Sequence, residues 1–196
     1  MGKSGKPELP TRGFASADAW RTWLAKNHAT SDGLWLKFAR KGSGVRSVSR
    51  DEAVTIALCY GWIDGQAKRI DDTFFAQRFV PRRRDSIWSR INREKALDLI
   101  ASGEMQPAGM AAIEEAKANG RWDAAYDPPR TATVPPDLEE ALAASPKAEA
   151  FFATLNSRNR YAILFRLQTV KSPATRAKRI EKFVAMLERG ETLHGD

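Results

Sequence analysis

Residues 59–92 read CYGWIDGQAKRIDDTFFAQRFVPRRRDSIWSRIN. Trp62–Arg69 and Thr73–Val80 carry the aromatic and β-branched residues of strands. Asp71-Asp72 between them predicts a turn, although this pair is less favourable there than Asn-Gly. Pro81 ends the second strand, because proline cannot donate to a ladder. From Ser86 the spacing becomes helical, and Ser86–Ala101 is predicted as one helix closed by Gly103. A hairpin that runs into helices, without regular strand–helix alternation, predicts an α+β fold rather than a doubly wound sheet.

Working outward toward the N-terminus, Ser49 and Glu52 have the spacing of a capping box, which predicts a helix over Arg50–Tyr60. Lys41-Gly-Ser-Gly44 is a loop without the spaced glycines and GK[ST] ending of a phosphate loop. Leu34–Arg40 alternates apolar and polar residues, so a third strand is expected there, preceded by the Asp32-Gly33 turn. Ser16 caps a helix over Ala17–Asn27. Residues 1–12 read as a flexible tail rich in Lys, Gly and Pro.

Toward the C-terminus, Pro107–Asn119 is a helix started by proline and closed by Gly120. Residues 121–136 form a Pro-rich loop. Helices are predicted over Asp137–Ala144, Pro146–Leu155, Ser157–Thr169 and Pro173–Arg189, two of them started by a Ser-Pro pair. The expected organisation is therefore a tail (1–12), an α+β domain with a small antiparallel sheet of about three strands (13–120), the loop (121–136) and a helical C-terminal part on the same core (137–196).

The 196 residues suffice for a core without disulfides or metals. Cys59 is the only cysteine and sits in an apolar run, where a buried, inert thiol is expected. His28 and His194 are the only histidines and have no second ligand at a useful spacing, so neither a metal site nor a cofactor is expected. No apolar run approaches the ~20 residues of a membrane span, and the N-terminus lacks a signal-peptide core. The expected location is the cytoplasm. The net charge of +8 is unevenly spread. Residues 37–95 carry 14 Lys and Arg against 7 Asp and Glu, and residues 156–189 carry 9 against 2. Residues 103–150 carry 4 against 9. Two basic blocks flanking an acidic one suit either mutual complementarity or an anionic partner.

Rings, amides and arginines are unusually dense in residues 59–92, which marks a candidate site. Trp62 and Trp88 are its expected walls, Asp64 and Gln66 its polar orienters, Arg78 and Arg83 its anion contacts, with Asn92 one helical turn from Trp88. Strand alternation places Trp62, Asp64 and Gln66 on one face. The competing reading makes the tryptophans core and pairs Asp64 with an arginine. A nucleic-acid alternative uses Arg82, Arg83, Arg84 and Arg90 with Arg176, Lys178 and Arg179 of the last helix. Asn159, Arg160 and Tyr161 with Arg158 are read as a helix-junction buttress or a ligand contact.

Several strings carry a family resemblance: GWIDGQ, RF-x-PRR and W-S-x-x-N in residues 61–92, then AAYDPP, FF-x-x-L-x-x-x-NRYA and TRAKRIEKFVAML. With these the chain resembles the YdeI/OmpD-associated family of bacterial proteins from about Trp20 to Leu193. The resemblance implies a link to bacteriocin protection, envelope stress or a porin, and supplies no catalytic residues.

The first functional reading is accordingly a non-enzymatic stress or bacteriocin-tolerance protein that binds an anionic or planar ligand through Trp62–Asn92. The alternatives are a nucleic-acid-binding protein, an enzyme acting on a small anionic substrate with Asp64 as acid or base, and a helical adaptor for a protein partner.

Overall fold

The computed structural model describes residues 8–195. The fold is α+β, with a small mixed sheet in the N-terminal half and helices in the C-terminal half. The strands are β1 (Thr11–Gly13), β2 (Leu34–Ala39), β3 (Trp62–Arg69) and β4 (Phe74–Pro81). They are ordered β1-β2-β4-β3, with β1 parallel to β2 and the other pairings antiparallel. The sheet therefore has four strands rather than three, and it is mixed. Thr11 and Arg12, assigned from sequence to the tail, are part of β1. Residues 1–7 of that expected tail lie outside the described residues.

The helices are α1 (Ala17–Asn27), α2 (Arg50–Cys59), α3 (Arg90–Ala101), α4 (Pro107–Ala118), α5 (Pro136–Ala143), α6 (Pro146–Thr154), α7 (Ser157–Gln168) and α8 (Pro173–Glu188). Their starts follow from local chemistry. Ser49 Oγ accepts from Glu52 N at 3.3 Å while Glu52 returns a carboxylate to Ser49 N at 2.8 Å, so two otherwise orphaned donors are satisfied. Ser16, Ser145 and Ser172 each accept from the backbone three residues on. The helix predicted from Ser86 begins only at Arg90. Ser89 is its cap, accepting from Asn92 N at 3.2 Å, and the backbone around it pairs with Tyr126.

The chain divides into two compact units. One comprises the residues up to Ser86 with Glu94–Trp122; the other comprises Ile87–Arg93 with the residues from Asp123 on.

In the first unit, alternation along β2 buries Leu34, Leu36 and Phe38 on one face, against Trp20, Leu24, Trp62 and Phe79. Each such side chain contributes roughly 1.5–3 kcal/mol of transfer free energy. Both indoles find acceptors for their N–H: Trp20 Nε1 donates to Ala53 O at 3.1 Å and Trp62 Nε1 to His28 O at 3.2 Å. The Asp71-Asp72 turn works because Asp71 Oδ1 accepts from both Thr73 N and Phe74 N, at 2.8 and 2.7 Å. The β3–β4 ladder is regular except at one point. Asp64 pairs with Phe79 and Ala67 with Gln77, so Gly65 and Gln66 both stand opposite Arg78. This β-bulge removes Gln66 from the face that carries Asp64, contrary to the simple alternation expected from sequence.

In the second unit, Leu138, Leu142, Phe152, Ile163, Leu167, Ile180, Phe183 and Leu187 close a core of its own. Arg176 of α8 ties this bundle together, donating from Nη2 to Asp137 Oδ1 at 2.8 Å and from Nη1 to Leu167 O at 2.6 Å. Its hydrogen bond holds the Asp137 carboxyl below the usual carboxylate range. A lowered folded-state value means stabilisation that is present above the unfolded pKa, ~4, and is lost as pH falls through the folded value. Asp137→Asn is expected to melt below the wild type at neutral pH, with the gap closing below about pH 4; thermal denaturation across pH 2–7 checks this. A constant gap would show that the pair is not the cause.

Candidate functional site: a fixed arginine beside a basic cavity

Gln77 sits on the core face of β4 and is only 3% exposed. A buried amide needs partners for its oxygen and its nitrogen, and both are present. Its Oε1 accepts from Arg50 Nε at 2.7 Å. Its Nε2 donates to Asp64 Oδ2 at 2.7 Å and to Gly65 O at 3.2 Å. The bulge takes the Gly65 carbonyl out of the regular ladder, which frees it for this bond. Arg50 Nη2 completes the triangle on Asp64 Oδ2 at 3.2 Å. The guanidinium at the first turn of α2 is thus held on two edges, while its side chain remains 61% exposed. Its Nη1 makes no hydrogen bond among the described residues. Asp64 is therefore an arginine partner, as the structural alternative from sequence had it.

Arg50 lines a cavity of about 350 Å³ between the end of β2, the Lys41–Gly44 loop and the start of α2. Phe75 gives it a ring wall, backed by the buried Phe38, whose ring stacks on it with centroids 5.2 Å apart. Arg40 and Lys41 also line it, as do Ser43, Ser47 and Ser49, and no carboxylate does. The Arg40 guanidinium lies 5.9 Å from the Phe75 centroid. Gly42 and Gly44 both adopt positive φ, +86° and +71°, and this shapes the turn over the opening. Three cations, a ring wall and hydroxyls can hold a small anion that carries a flat group.

The residues singled out from sequence fall in both units. Trp62 is 1% exposed and lies in the core of the first unit. Gln66 is exposed on the opposite sheet face. Arg78 is half-buried on that same opposite face, paired in register with Trp35. Arg83 and Arg84 are exposed and Arg82 half-buried, in the turn after β4. Trp88, 3% exposed, and the half-buried Asn92 belong to the second unit. Of the nucleic-acid set, Arg90 pairs with Asp127 at 3.0 Å, Arg176 with Asp137, and Arg179 Nη1 with Arg166 O at 2.6 Å. Lys178 is exposed. The missed residues are Arg50, Arg40, Lys41, Phe75 and Gln77's role as the joint. The capping box that located α2 was the one signal near Arg50. Nothing local announced its contact with Gln77, 27 residues on.

Cys59 is buried; burial pushes its thiol pKa up, and Sγ–H points at Thr55 O, 3.5 Å away. Among the described residues, no group of three His, Cys, Asp or Glu could hold a metal ion. None of the described helices is long and apolar enough to cross a membrane.

The second unit has a cavity of about 430 Å³, lined by Tyr161, Phe165, Pro129, Arg158, Arg166 and His194. Asn159, 1% exposed, clamps the chain beside it: Nδ2 donates to His194 O at 3.1 Å and Oδ1 accepts from His194 N at 2.9 Å. Tyr161 donates to Asp127 O at 3.0 Å, and burial pushes its hydroxyl pKa up to about 12.

Residues 12–112 match the family model described as a domain of unknown function, DUF8412. The chain belongs to that family. The Arg50 cavity and its supporting triangle lie wholly within the matched DUF8412 stretch. Residues 131–190 match the model described as bacteriocin-protection, YdeI or OmpD-associated. The YdeI/OmpD-associated resemblance thus holds in the C-terminal part, where FF-x-x-L-x-x-x-NRYA and TRAKRIEKFVAML lie. The GWIDGQ, RF-x-PRR and W-S-x-x-N strings fall in the DUF8412 stretch, so two models divide the span that sequence reading gave to one family. No curated protein and no solved structure matches the chain.

Proposed function

We propose that this chain is a bacteriocin-protection-related binding protein of the cytoplasm that takes a small anionic ligand with a flat ring in the Arg50 cavity. One observation carries the reading. A buried glutamine and a carboxylate are arranged to fix the exposed Arg50 guanidinium, and Arg50 lines a cavity without carboxylates. A merely solvated arginine gains nothing from such support, whereas a pre-oriented fork loses less entropy on binding an anion. Asp64 keeps the role of orienter, acting through Arg50. No reaction is proposed: both hydrogen bonds that Asp64 accepts within the triangle end on Oδ2.

A thermal-shift and calorimetry screen against sugar phosphates, nucleotides and aromatic carboxylates tests this. A ligand of the proposed site raises the Tm by mass action at both low and moderate salt. Lys41→Ala removes one cation from the lining without touching the core, and is expected to weaken that ligand about tenfold while leaving the unliganded Tm unchanged. A ligand that binds Lys41→Ala and Arg50→Lys as tightly as the wild type does not occupy this cavity. Silence across the panel at millimolar concentrations sinks the small-ligand reading.

A further inference from the structure

The face of the sheet opposite the core has its own chemistry. Strand alternation and register place Trp35 and Lys37 of β2, Phe74, Ala76 and Arg78 of β4, and Lys68 of β3 on it. Trp35 pairs with Arg78, and Ala76 separates Lys37 from Lys68. Lys68 Nζ lies 4.1 Å from the Trp35 ring centroid and Lys37 Nζ 4.2 Å from that of Phe74. The only carboxylate within β2, β3 or β4 is Asp64, and it is on the other face, bound to Gln77. Arg78 Nε is buried and has no hydrogen-bond partner among the described residues. A buried donor left unpaired is costly, so its retention calls for a reason beyond the fold.

We infer that this face is a docking surface for single-stranded nucleic acid. Two part-exposed rings offer stacking faces, and three cations stand among them, none of which forms an ion pair among the described residues. That combination suits a chain that alternates bases and phosphates. Each lysine already lies over a ring. A base that stacks there takes the ring face, and the freed ammonium on its flexible stem turns to the neighbouring phosphate. A duplex would present phosphates without base faces and would leave Trp35 and Phe74 unused. The net charge of +8 favours encounter with a polyanion. This surface is distinct from the Arg50 cavity and does not depend on it.

The test is fluorescence anisotropy of the full chain with labelled twelve-nucleotide oligothymidylate and oligouridylate at 50–300 mM salt. The expected result is binding that quenches tryptophan emission and weakens steeply with salt. Trp35→Leu and Lys68→Gln are each expected to weaken it about tenfold, with circular dichroism and Tm unchanged. Lys68→Gln guards against a folding defect in Trp35→Leu. Lys41→Ala leaves oligonucleotide affinity intact, and Trp35→Leu leaves the small-ligand response intact, so the two sites fail separately. Absence of binding at 50 mM salt overturns the inference. So does affinity that is unchanged in both sheet variants, which would move the contact to the Arg82–Arg84 turn. Binding to phosphatidylglycerol vesicles in place of oligonucleotides, lost in the same variants, would also overturn it.

Discussion

Gly109→Ala is expected to lower stability by about 2 kcal/mol, although alanine is the better helix former. Gly109 lies inside α4, where exchange to alanine ordinarily gains up to ~1 kcal/mol. Here a Cβ would stand 2.8 Å from the Leu58 carbonyl oxygen and closer still to Cys59 O and Met105 Sδ. Two of those atoms are backbone at the end of α2, so relief requires the helices to separate. Separation would stretch the bond from Gln106 N to Cys59 O, now 3.2 Å, which satisfies one of the last carbonyls of α2. Overpacking of this kind costs roughly 1–3 kcal/mol and sometimes more, enough to outweigh the helix gain. For a chain of this size the Tm falls by roughly 4–8 °C, measured by calorimetry. An unchanged or higher Tm would mean that α4 is not seated on the end of α2.

Gln77→Leu is expected to cost about 1–3 kcal/mol and to weaken any ligand of the Arg50 cavity. Leucine fills a similar volume, so little of the loss is packing. It strips Arg50 Nε of its acceptor, and it strips Asp64 Oδ2 and Gly65 O of a donor. Unpaired partners in a part-buried setting cost roughly 1–3 kcal/mol in sum. The guanidinium then hangs from Asp64 alone and must be ordered by the ligand. Urea denaturation reads the first effect and calorimetric titration the second. Lost stability with unaltered ligand affinity would make the triangle a structural joint and remove the main support for the cavity.

Much of the helical layout was legible because its signals are local. Ser16, the Ser49–Glu52 box and the Ser145-Pro and Ser172-Pro pairs act on the backbone within one turn. The strands β2, β3 and β4 were legible from their apolar pattern to within a residue or so. β1 was not, because Thr-Arg-Gly has no pattern of its own and is a strand only by pairing in parallel with Trp35–Lys37. The late start of α3 was missed because Trp88–Arg90 spend their backbone groups on Tyr126. Only the tertiary fold reveals that partner. The site fared worse for the same reason. Aromatic density around Trp62 and Trp88 is equally compatible with a wall and a core, and both rings are buried. Arg50, Gln77 and Asp64 meet through three separate elements, and pairwise spacing along a chain carries no trace of such a meeting.

The β-bulge has one further consequence. A strand normally assigns its residues to two faces by parity, so a change of composition on one face is tied to every second position along its length. In β3 the count slips by one at Gly65–Gln66. Odd and even positions exchange their duties half-way along. Without the slip, Lys68 would share a face with Trp62 and Asp64 and would be lost from the face that carries Trp35. With it, Trp62 and Asp64 take the core-side face in the first half, Ala67 and Arg69 take it in the second, and Lys68 turns to the opposite face. A single extra residue thus lets one strand offer an acid to the inner face and a lysine to the outer one, and because Ala67, Lys68 and Arg69 are all exposed, charge can change there without disturbing the packing around Trp62.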